Sequence, residues 1–161
     1  MKVCNSEAMK YVKELESQKD LIVFTETNRS RVSYREGEEK RPTKYDYADT
    51  RKQIEEIDTQ IRKIKHALSV ANCTVKIDGF DITIGEALVY LAQLNGEYHR
   101  LDDLGRYNQL ERRITNNGVI EYTECLYDPD KAVEDQKELF STIGKLQVAI
   151  DRANLTNMIE I

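Results

Sequence analysis

His99, Asp102 and Asp103 stand within one helical turn of one another in this chain. An imidazole and two carboxylates at i, i+3 and i+4 are the groups that hold a divalent cation and let it activate water. A metal-dependent hydrolase is therefore one reading of the sequence. The plainer reading is that the three flank the seam residues Tyr98 and Leu101 as solvated helix side chains, which such positions more often carry. The di-iron bundle signature, Glu-x-x-His on each of two helices, is absent: Lys63 precedes His66, and Gly96 precedes His99.

A second group interleaves basic and aromatic residues. Arg106, Tyr107, Arg112 and Arg113, with Tyr122 beyond them, could hold a single strand through phosphate contacts and base stacking. Glu111, Glu121 and Glu124 lie among them and weaken that field, so cross-strand Arg–Glu pairs in an ordinary exposed hairpin are the competing account. A net charge of -5 also argues against a general nucleic-acid or anionic-membrane binder.

Other chemistries fail on spacing. Asp78, Gly79, Asp81 and Glu86 suggest a calcium loop but miss the twelve-residue pattern. No phosphate-binding glycine loop, G-x-S-x-G or H-E-x-x-H occurs. Cys4, Cys73 and Cys125 are widely spaced with no C-x-x-C, which reads as free thiols in a reducing compartment. A Cys–His pair drawn from Cys73 or Cys125 with His66 or His99 lacks any local group to activate the thiol. No cofactor and no catalytic residue is expected. Asn154-Leu155-Thr156 is formally a glycosylation sequon, without a secretory signal to give it meaning.

The elements that must position these groups are mostly helical. The chain has 161 residues, 33% of them charged, with no Trp and 2 Pro, which favours long solvated helices over a loop-rich sandwich. Asn5 or Ser6 caps a first helix with apolar positions Ala8, Val12 and Leu15, ending near Lys19. The apolar run Leu21–Thr25 then predicts a strand paired with Arg31–Tyr34 through a bend at Thr27-Asn28. Residues 29–44 form a basic loop, with Arg29, Arg31, Arg35, Lys40, Arg41 and Lys44 against Glu36, Glu38 and Glu39, punctuated by Gly37 and Pro42. Such a run is usually solvated surface; its other use is contact with an acidic partner or another subunit.

Ile54, Ile57, Ile61, Ile64, Leu68 and Ala71 repeat at alternating three- and four-residue spacing on a helix from about 46 to 71. Asp78-Gly79 between β-branched residues predicts a hairpin with two short strands. Thr83 and Glu86 form a capping box for a third helix over about 84–104, ending at Gly105. Asn116-Asn117-Gly118 centres a second hairpin within 108–127. Asp128-Pro129 opens a last helix whose stripe is Ala132, Leu139, Ile143, Leu146, Ile150 and Ala153.

The fold class is mainly α: an antiparallel helical bundle of long helices with two or three short β-hairpins. It is expected as a single domain over 1–161, divided into 1–45, 46–104 and 105–161. Leu155, Met158, Ile159 and Ile161 form an apolar tail that should dock on a neighbouring helix or subunit, so a homo-oligomer is expected. No apolar run spans a bilayer and Met1-Lys2-Val3-Cys4 opens no signal peptide, which predicts a cytoplasmic protein with no membrane partner.

Two stretches carry a resemblance. Ala71-Asn72-Cys73-Thr74, Asp78-Gly79 and Ile82-Thr83-Ile84-Gly85-Glu86-Ala87-Leu88 form the first. Leu146-Gln147-Val148-Ala149-Ile150-Asp151-Arg152-Ala153-Asn154-Leu155 is the second. Together they resemble a family of small, mostly helical bacterial proteins known as septicolysin-like, over about residues 46–156. Leu155 stands where the family has an aromatic residue, and the 20–35 segment differs. The resemblance implies a self-associating cytoplasmic helical bundle of unassigned role, with no catalytic residues to transfer. The pore formation in the family label finds neither an export signal nor a membrane-inserting segment here.

Overall fold

The computed structural model describes residues 1–40 and 44–161; Arg41 and Pro42 of the basic loop lie outside the described residues. The element order is β1 (Lys2–Cys4), α1 (Asn5–Arg29), α2 (Tyr47–Thr74), α3 (Ile84–Gly105), β2 (Leu110–Ile114), β3 (Ile120–Glu124), α4 (Pro129–Thr156) and β4 (Met158–Glu160). This is the expected mainly-α class, four helices with two small antiparallel two-stranded sheets. The chain divides into two compact units, residues 1–74 with 154–161, and residues 75–153.

In the first unit α1 runs ten residues past the expected stop at Lys19. No Gly or Pro interrupts Asn5–Arg29, and Ala8, Val12, Leu15 and Ile22 keep one helical stripe. Lys19 lies on that stripe and is not a terminator: its ammonium binds both oxygens of Asp58 on α2, at 2.7 and 2.9 Å. The strand expected over Leu21–Thr25 and its partner over Arg31–Tyr34 are absent. Residues 21–25 are helical, with the Thr25 and Thr27 hydroxyls donating to the carbonyls of Leu21 and Val23. A five-residue apolar run fits either period, and the unbroken helix around it decides the outcome.

Glu16–Lys65 and Lys19–Asp58 join α1 to α2 in descending order along α2, and the Tyr45 hydroxyl just before α2 donates to Glu26, so the two helices are antiparallel. Asp46 caps α2, accepting from the backbone of Ala48 and Asp49 as its position predicts. Ile57, Ile61, Ile64 and Ala71 are buried along the expected seam.

A strand pair absent from the sequence reading closes this unit: β1 and β4 align antiparallel with Val3 opposite Ile159, both buried. Beneath it sits Asn5, fully buried. Its amide donates to Asn154 Oδ1 at 3.3 Å, its Oδ1 accepts from the Asn157 amide at 3.0 Å, and its backbone N–H reaches the Asn157 carbonyl.

The second unit has one apolar cluster, comprising Ile77, Ile84, Ala87, Leu94, Ile143, Leu146, Ala149, Ile150 and Ala153. The expected hairpin at Asp78-Gly79 reduces to a single bridge between Lys76 and Thr83. Gly79 (φ +83°) and Asp81 (φ +48°) turn the chain in a four-residue loop rather than a two-residue one, leaving too little strand on either side. The Thr83–Glu86 capping box forms as read, with Glu86 accepting from the Thr83 backbone at 2.8 Å.

Gly105 was expected beyond the end of α3, in the left-handed region. It is instead the last helical residue, and its missing side chain admits Val133 of α4, whose Cγ2 lies 2.7 Å from where a Cβ would stand. Gly105 with Val133, Asp102 with Gln136 and Tyr98 with Phe140 fix α3 and α4 as antiparallel in one register. The second hairpin forms over β2 and β3, its turn closed by Gly118 at φ +76° and the Thr115–Val119 pair. Asp128 caps α4 ahead of Pro129.

Candidate functional site

The β2–β3 hairpin is an arm with every residue of both strands exposed. Its ladder pairs Leu110 with Glu124, Glu111 with Thr123, Arg112 with Tyr122, Arg113 with Glu121 and Ile114 with Ile120. Because side chains alternate along a strand, one face carries Leu110, Arg112, Ile114, Ile120, Tyr122 and Glu124. The other face carries Glu111, Arg113, Glu121 and Thr123. The first face is apolar around an arginine and a tyrosine; the second is polar, with Arg113 opposite Glu121 in the ladder.

Among the expected nucleic-acid residues, Arg106 is committed to Asp102 and lies 3.6 Å from Asp103. Arg112 and Arg113 point to opposite faces of the arm, and Tyr107 is exposed at its root. The four do not share a surface. The first metal candidate, His99, meets the Tyr98 ring edge-on with centroids 5.8 Å apart. Asp102 binds Gln136 at 3.0 Å as well as Arg106, and these two contacts, Gln136 first, hold its carboxyl below the usual carboxylate range. Among the described residues no group of three His, Cys, Asp or Glu is gathered so as to hold a metal ion.

A cleft of about 730 Å³ opens at the arm's root, lined by Tyr107, Gln109, Cys125, Leu126, Tyr127 and Asp128. Several of its polar groups are already engaged. The Tyr127 hydroxyl donates to the Leu104 carbonyl, the Cys125 thiol to the Asn108 carbonyl, and the Gln109 amide to the Cys125 carbonyl. Burial, then the neighbouring Cys125, raises the Tyr127 phenol. Cys4 is buried, Cys125 half-buried and Cys73 exposed, all as free thiols.

Of the apolar tail, Ile159 is covered within its own unit by the pairing of β4 with β1, whereas Met158 and Leu155 are exposed. Ile161 is half-buried and lines a groove with Tyr11, Leu15 and Ile64. The larger exposed apolar surface lies on α1 and α4. Leu21 and Phe24 occupy the side of α1 opposite its Ala8–Val12–Leu15 seam; on α4, Val148 lies on the side away from Ile143, Leu146 and Ile150, while Phe140 sits at the flank, exposed yet against the Tyr98 ring. The spacing of both pairs was present in the sequence, but an apolar run read as a strand hid the first.

No helix among the described residues is long and apolar enough to cross a membrane. No family model and no curated protein matches this chain. A solved structure does: the crystal structure of a functionally unknown conserved protein from Corynebacterium diphtheriae. The two are 15% identical with a TM-score of 0.66, over 99% of this chain and 100% of that one. The likeness is one of fold.

Proposed function

We propose that this chain is a self-associating, non-catalytic interaction protein whose open apolar faces are covered by further copies of itself. The surface area carries the reading. Two wholly separate compact bodies sharing 18.7 kDa equally would together expose about 10,000 Å² by the usual area–mass scaling. This chain exposes 12457 Å², an excess of roughly 2,500 Å² on that scaling.

The arm and the mostly exposed residues 30–40 and 44–46 account for part of that excess. The second faces of α1 and α4 account for apolar area that water penalises, at about 25 cal/mol per Å². Phe24 is 67% exposed, Leu21 65% and Val148 60%, large apolar side chains turned away from the seams of their own helices. A self-associating role is also what the septicolysin-like resemblance implies, and a cytoplasmic setting suits the three free thiols.

Light scattering on a sizing column, with sedimentation equilibrium from micromolar to several hundred micromolar chain, tests the reading. Masses at multiples of 18.7 kDa are expected. A monomer mass at every concentration would overturn it.

A further inference from the structure

We propose that the β2–β3 arm is one of the contacts between copies, its apolar face stacking on the same face of a second copy's arm about a twofold axis that runs along the strands. This rests on the self-association reading and names a surface for it. Three observations select the occupant. First, both strands are exposed along their whole length, and a two-stranded ribbon with neither face covered is at best marginally stable in water. The arm therefore gains most from a partner on its apolar side.

Second, two of the three rows of that face are complementary to themselves, and the root row, where Leu110 meets the partner's Glu124, stays at the solvated rim. The three ladder rows are Leu110 with Glu124, Arg112 with Tyr122, and Ile114 with Ile120. A twofold axis along the strands lays β2 of one copy over β3 of the other, as an isologous contact requires. Arg112 then sits over the ring of Tyr122 of the partner subunit, with the diagonal Glu124 of the partner subunit one row away, and both contacts occur twice. The four isoleucines of the two copies form one cluster beside them. An axis across the strands would bring the two Arg112 side chains face to face, so charge selects the first arrangement.

Third, the area sets the strength. Five residues of strand make a face about 17 Å long and two strands make it about 10 Å wide, so stacked arms bury a few hundred Å² per copy. That is below the roughly 1,200 Å² total of a stable interface, and the arm contact by itself is a weak one.

The test uses the full chain and four surface variants, with folding checked by circular dichroism and association measured by sedimentation equilibrium between about 10 μM and 1 mM. Arg112→Glu should weaken association about tenfold, by like-charge contact with Glu124 and loss of the ring contact. Glu124→Arg should weaken it similarly. The double exchange should recover most of the loss. Arg113→Glu, one residue away on the other face, should leave association unchanged.

A wild-type chain that stays monomeric sinks both this contact and the proposed function. Association that ignores Arg112→Glu leaves the function standing and assigns the arm face to a partner of another sequence, overturning the contact. So does an Arg113→Glu variant as weak as Arg112→Glu.

Discussion

Asn5→Ala is the most informative single change in the first unit. The Asn5 side chain is fully buried and makes two hydrogen bonds, to Asn154 and from Asn157. Each is worth about 1 kcal/mol net, and truncation leaves the Asn154 oxygen and the Asn157 amide, both half-buried, without their partner at a further cost of about 1 kcal/mol. The expected loss is therefore about 3 kcal/mol, or a melting point lower by roughly 6–12 °C for a chain of this size. Hydrogen exchange localises it: Lys2–Cys4 and Met158–Glu160 should lose protection, while Ile84–Leu101 of the second unit keeps it. Asn5→Asp keeps the shape, loses the donor to Asn154 and buries a charge. Burial raises the folded pKa of such a carboxyl above its unfolded value, so the damage is greatest at neutral pH and relieved in acid. A melting point within 1 °C of wild type for Asn5→Ala, with exchange at β1 and β4 unchanged, would refute the reasoning.

The helical glycines give opposite signs. Gly105→Ala drives a Cβ to within 2.7 Å of the stiff Val133 side chain, whereas a Cβ on Gly96 meets nothing within 4 Å. Thermal unfolding should show Gly105→Ala destabilised by about 1 kcal/mol net of its propensity gain, and Gly96→Ala stabilised by about 0.5–1 kcal/mol. Glu86 is held below the usual carboxylate range, first by the Thr83 backbone N–H and then by the Thr83 hydroxyl. A depressed folded pKa contributes stability that is present above the unfolded value, near 4.5, and lost as pH falls through the folded one. Glu86→Gln should accordingly flatten the acid-side decline in the melting of α3, followed by hydrogen exchange, and an unchanged decline would count against the cap.

The legible parts of this fold are those where a side-chain type has one structural use. Asp128-Pro129, Thr83 with Glu86, and Asn116-Asn117-Gly118 each name a cap or turn, and each forms where read. The isoleucine seam of α2 is legible because only a helix repeats at that spacing. Three features were not. Lys19 looked like a stop because its partner, Asp58, is 39 residues away. The pairing of residues 2–4 with 158–160 has too few residues at either end to show a period. Asn5 and Asn154 read as a cap and a formal sequon, because a buried amide network leaves no local pattern at all. The arm's apolar face was available from simple alternation, yet the arginines drew attention to charge and away from Leu110, Ile114 and Ile120.

Each helix pair carries a polar contact on its seam: Lys19 with Asp58 between α1 and α2, and Asp102 with Gln136 between α3 and α4. Such contacts add little net stability, since both groups surrender water to make them. They favour one register, because sliding either pair by one turn would part the ammonium or the carboxylate from its partner. Register within each unit is thus biased by polar groups inside the chain, together with the close approach of Gly105 and Val133. The apolar residues on the far sides of α1 and α4 are then not needed to define the fold, and their persistence there, beside a solvated third of charged residues, is best accounted for by an apolar partner. Replacing Leu21, Phe24 and Val148 together with Gln should on this argument leave the helix content intact and weaken association to what the arm contact alone supports, whereas a variant that associates as before would show those side chains to be ordinary surface.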